Sequence, residues 1–79
     1  MKISELKIAT CAVELPRPYT RKEAIALAES WGLTFTKFIN FPPRRATFIV
    51  VYAGEYMLQS VLTSAVFKNN IIKLTDIEP

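Results

Sequence analysis

The stretch from Ala46 to Phe67, "ATFIVVYAGEYMLQSVLTSAVF", decides how this chain folds. It is apolar and long enough to cross a bilayer. Gly54 and Glu55 sit near its middle, however, and Gln59, Ser60, Thr63 and Ser64 follow. A charge at mid-membrane costs about 3 kcal/mol on insertion, so the stretch reads as two elements divided at Gly54. "ATFIVVY", Ala46 to Tyr52, is rich in β-branched and aromatic residues and predicts a strand. From Glu55 to Lys68 the apolar pairs Met57/Leu58, Val61/Leu62 and Ala65/Val66 recur every four residues, which predicts a helix. Val61, Thr63 and Ser64 are weak helix formers. The alternative is a hairpin through "YAGEYM", which would set one helix on an all-β meander.

Upstream, Leu33 to Phe41, "LTFTKFINF", alternates and predicts a strand, ended by Pro42 and Pro43, which have no N–H for a ladder. "PPRR" then reads as the tip of a hairpin. Before it, "PRPYTRKEAIALAESWG" predicts a helix. Thr20 and Glu23 have capping-box spacing. Ala24, Leu27, Ala28 and Trp31 share a face, and Gly32 suits the residue after the helix end. Leu6 to Leu15, "LKIATCAVEL", predicts a first strand closed by Pro16. Ile71 to Ile77, "IIKLTDI", predicts a last one after an Asn69–Asn70 turn.

The order β-α-β-β-α-β predicts an α+β, ferredoxin-like split fold: one four-stranded antiparallel sheet with two helices on one face. Seventy-nine residues make a single domain, residues 1–79. A chain of this size buries only about 60–65% of its unfolded surface. With 51% apolar and 22% charged residues it is globular, and its apolar excess hints at a homodimer or a protein partner. The sole cysteine, Cys11, forms no internal disulfide and suits a reducing compartment. "MKISELK" lacks the features of a signal peptide, so a cytoplasmic protein is expected. Histidine is absent, which removes the usual triads and most zinc sites. The only glycines are Gly32 and Gly54, so there is no phosphate-cradling glycine loop. No enzyme, metal or cofactor is expected.

The formal charge of +3 is small, but the expected topology separates its parts. Arg17, Arg21, Lys22, Arg44, Arg45 and Lys68 gather at one end. Glu5, Glu29, Glu55, Asp76 and Glu78 gather at the other. Arg21 and Lys22 lie in a first helical turn, where the macrodipole disfavours cations. Broken local rules often mark function, and open N–H groups at a helix start favour an anion. These six cations are the candidate anion- or partner-binding residues.

The uncovered sheet face is the second candidate. Phe48 and Tyr52 alternate away from Ile49 and Val51; with Phe38 and Lys73 they would form a stacking or interface surface. The pattern resembles the RNA-recognition motif in topology and in one partial motif. "RRATFIVVY" keeps a leading arginine and Phe48, but Ala46 stands where that family has a second aromatic. "LKIATC" lacks the first-strand aromatic as well, so the chain is not assigned to that family.

Two functions follow. One is a small binding module whose basic end engages nucleic acid, or the acidic or nucleic-acid-binding surface of a larger protein or ribonucleoprotein complex. The other is a protein-interaction protein, an inhibitor or adaptor of the size that phages and mobile elements encode, using the apolar sheet face.

Overall fold

The computed structural model describes residues 1–36 and 42–78. The described residues form α1 (Ile3–Leu6), β1 (Thr10–Thr20), α2 (Arg21–Ser30), β2 (Thr34–Phe35), β3 (Arg45–Tyr52), β4 (Glu55–Gln59), α3 (Ala65–Lys68) and β5 (Ile71–Lys73), with a 3-10 turn over Leu74–Asp76. The five strands make one mixed sheet in the order β2-β4-β3-β1-β5. β3 is antiparallel to β1 and β4, while β2 runs parallel to β4 and β5 parallel to β1. The fold is α+β. The four-stranded antiparallel ferredoxin-like arrangement is corrected in strand number and in strand direction: the sheet has five strands, two of them paired in parallel with a neighbour.

The correction originates at Ala53–Gly54. Both residues have positive φ, 49° and 84°, and Tyr52 pairs with Glu55 across them. Two successive positive φ values mark a type I′ turn, whose twist matches that of a hairpin. The chain therefore doubles back as β4 instead of entering a helix. Within β4, Tyr56 and Leu58 are buried on the α2 side, while Met57 faces the other, which is the period of two of a strand. Alanine in the left-handed region carries a steric cost of about 1–2 kcal/mol. Ala53→Asn, which supplies the preferred Asn-Gly pair, should raise the thermal midpoint by several degrees. An unchanged midpoint in thermal circular dichroism would contradict the turn geometry.

β4 lies between β2 and β3, so "PPRR" is not the tip of a β2–β3 hairpin. It belongs to the connection that enters β3. The strand expected over Leu33–Phe41 is observed at Thr34–Phe35; residues 37–41 lie outside the described residues. The last strand covers Ile71–Lys73 before the 3-10 turn, and Leu6 belongs to α1 rather than β1. Among the described residues, no helix is long and apolar enough to cross a membrane.

Helix α2 forms as its sequence dictates. The Thr20 hydroxyl accepts from the Glu23 N–H at 3.2 Å, and the Glu23 carboxylate accepts from the Thr20 N–H at 3.0 Å. At the other end Gly32, with φ 82°, closes a Schellman motif. Its N–H reaches Glu29 O at 3.0 Å, and Leu33 N–H reaches Ala28 O at 3.4 Å. Ala24, Ala28 and Trp31 then pack against Cys11, Val13, Ile49, Val51, Tyr56 and Leu58 to form the main core. The opposite sheet face carries a smaller cluster of Ala12, Val50 and Leu62, flanked by Phe48, Met57 and Phe67. The segment after β4 thus folds over that face, which the sequence reading left open.

Candidate functional site

β1 continues past Pro16, where the sequence predicts its end. Glu14 pairs with Phe48 and Tyr19 with Ala46, so four residues, Leu15 to Pro18, stand opposite Thr47 alone. Pro16 and Pro18 cannot donate to a ladder, and the chain accommodates them by bulging. The bulge puts Arg17 on the surface. There its Nη2 meets Glu23 Oε2 at 2.9 Å, its Nη1 donates to Pro18 O at 3.2 Å, and its guanidinium lies 4.5 Å from the Tyr19 ring centroid.

Arg21 is also engaged. Its Nη2 donates to Pro42 O at 2.8 Å, its Nε to Pro43 O at 3.4 Å, and its backbone N–H to Arg44 O at 2.9 Å. Prolines offer carbonyls without N–H groups, so an arginine fork is the complementary partner. This contact accounts for a cation in the first turn of α2. It also joins the two loops: Arg45 pairs with Thr20, which places Arg44 and Arg45 beside the start of α2 and Lys22. The side chains of Lys22, Arg44 and Arg45 are exposed and make no hydrogen bond or ion pair among the described residues. Arg21→Ala should loosen the latch. Trypsin should then cut after Arg44 and Arg45 severalfold faster than in the parent, with cutting after Lys7 unchanged; equal rates would contradict the latch.

Three backbone N–H groups at the helix start are already engaged. The N–H groups of Thr20, Arg21 and Glu23 are bonded to Glu23, Arg44 and Thr20. An anion here would meet mainly side chains rather than the fully open helix terminus that the sequence suggests.

Arg17, together with the Thr20 N–H and hydroxyl, lowers the Glu23 pKa from 4.5 to about 2. The folded value lies below the unfolded one. The stability that Glu23 contributes is therefore complete above about pH 4.5 and is lost as the pH falls towards about 2. The parent should lead Glu23→Gln in urea midpoint at pH 6, and the gap should narrow from pH 4.5 downward. A constant gap would contradict this role.

Lys68 does not join the basic end. β5 runs parallel to β1, so it is entered near the start of β1, and Ala12 N–H bonds Asn70 O at 2.9 Å just beyond Lys68. Tyr52 pairs with Thr10 at the far end of β3 from Arg45, about 24 Å away at strand rise. It is 60% exposed, whereas Phe48 is half-buried in the smaller cluster. Lys73 pairs with Glu14 on the same face. Phe38 lies outside the described residues. Tyr52 and the basic end therefore do not form one site. Burial raises the Cys11 pKa, which leaves that thiol a core residue. Among the described residues, no group of three or more cysteine and carboxylate side chains is placed to hold a metal.

The sequence reading missed the proline-carbonyl latch and the bulge. The signals were "PRP" followed by a capped arginine, and a second proline pair upstream of "RR". No protein family, curated protein or solved structure matches this chain.

Proposed function

We propose that the protein is a small non-enzymatic binding module whose basic end engages the phosphates of a nucleic acid. The supporting observation is the corner where α2 meets the 42–44 connection. Lys22 at the start of α2, Arg44 in the connection and Arg45 at the start of β3 are exposed there without partners among the described residues, on segments joined by Arg21. Glu23 is committed to Arg17 and to the helix cap, so its charge does not neutralise the three. Backbone segments already held together lose less freedom on binding than mobile ones. Arg44 and Arg45 are suited to fork-like phosphate contacts, and Lys22 adds a point charge. Affinity capture from the source cell, with and without nuclease, tests the reading. Recovery of nucleic acid that nuclease abolishes is expected; capture indifferent to nuclease and to salt would overturn it.

A second reading, a protein-interaction inhibitor or adaptor or a homodimer, draws support from Val61, Val66 and Ile71. They are 69%, 54% and 46% exposed on and beside the segment that covers the second sheet face. Such association would respond little to salt, and light scattering over a tenfold dilution would detect self-association.

A further inference from the structure

The second sheet face holds a groove of about 360 Å³. Val50, Met57 and Phe67 supply apolar walls, and Tyr52 and Glu55 stand at the hairpin end. Tyr52 and Glu55 are direct cross-strand partners, in the geometry that brings Cβ atoms within about 5.5 Å. The Tyr52 ring is 60% exposed. Glu55 is a half-buried residue, and its carboxylate has no hydrogen bond or ion pair among the described residues. An aromatic face and a carboxylate at the mouth of an apolar groove are complementary to one ligand type. It carries a positive charge for the mouth and an apolar body for the walls. The volume is at the small end of small-molecule sites and fits a compact ligand rather than a helix.

We infer that this groove binds a small organic cation, an ammonium bearing an aryl or branched alkyl group. The head sits between the Tyr52 ring and the Glu55 carboxylate, and the body lies on Val50, Met57 and Phe67. This site is separate from the basic end and stands or falls independently of it. Removing the charge from the ligand loses both the carboxylate and the ring attraction, while apolar contact with the walls survives.

The test is an amide NMR titration of the whole chain with 2-phenylethylammonium and, in parallel, the neutral 2-phenylethanol. The ammonium should shift the amides of Val50, Tyr52, Glu55, Met57 and Phe67 and bind about fivefold or more tightly than the alcohol. Glu55→Gln should erase most of that preference while the alcohol still binds. Tyr52→Leu should erase part of it, and each variant's amide spectrum reports its fold. Equal affinity for the two probes, or no shift of these amides at millimolar probe, would overturn the assignment. So would concentration-dependent shifts of the same amides with no probe added, which would seat a second copy of the chain in the groove.

Discussion

Tyr56→Ala should remove about 3–5 kcal/mol of stability, the cost of truncating a large buried aromatic. Tyr56 is 1% exposed and the largest of the fully buried side chains among the described residues. Its ring meets Phe35 edge to face at 5.4 Å, and its hydroxyl donates to Glu29 Oε2 at 3.0 Å. It thereby ties β4 to β2 and to the end of α2. A chain of this length has about 4–12 kcal/mol in total, so the variant should melt some 15–30 °C lower or fail to fold. Tyr56→Phe separates the ring from the hydroxyl and should cost only about 1 kcal/mol. Burial, then the bond to Glu29, raises the Tyr56 pKa to about 12. Stability from this group is complete below pH 10 and is lost as the pH rises through about 12. A loss below about 1 kcal/mol for Tyr56→Ala would contradict the placement of β4.

The same residue shows where the sequence was ambiguous. Pairs such as Met57/Leu58 and Val61/Leu62 satisfy a helical repeat as readily as Tyr56 and Leu58 satisfy alternation. What decides between them is the Ala53–Gly54 turn, and alanine at positive φ gives a weak local signal for it. An asparagine at that position would have announced a hairpin. Helix α2, by contrast, carries its cap, its buried face and its stop signal within one short stretch, and all of these are observed. Pro16 misled for another reason. A proline normally ends a strand, but pairing on both sides of the bulge carries β1 through to Thr20. Arg17, Arg21, Lys22, Arg44 and Arg45 were readable as one basic end because their convergence needs only the start of α2 beside the entry to β3. Lys68 was misplaced because its position depended on the direction of the last strand, which no local pattern specifies.

Arg44→Glu combined with Arg45→Glu should lower affinity for a nucleic acid by on the order of 100-fold near 50 mM salt. The change removes two of the three cations at the basic end that are without partners among the described residues, and puts repulsive charges in their place. Each phosphate contact contributes about 0.9 to the slope of log affinity against log salt on a duplex. Both side chains are exposed and without partners among the described residues. Thermal stability should therefore stay within about 0.5 kcal/mol of the parent. A double variant with intact fold and unimpaired binding would remove the basic end from the function.

The most direct measurement is the affinity of the parent chain for a short random-sequence duplex between 50 and 200 mM salt. With Lys22, Arg44 and Arg45 each meeting a phosphate, the slope should be about −2.7, a fall of roughly 40-fold across that range. In the double variant it should drop to about −0.9. Binding that does not change with salt, or an identical slope in the two proteins, would contradict a phosphate-binding basic end.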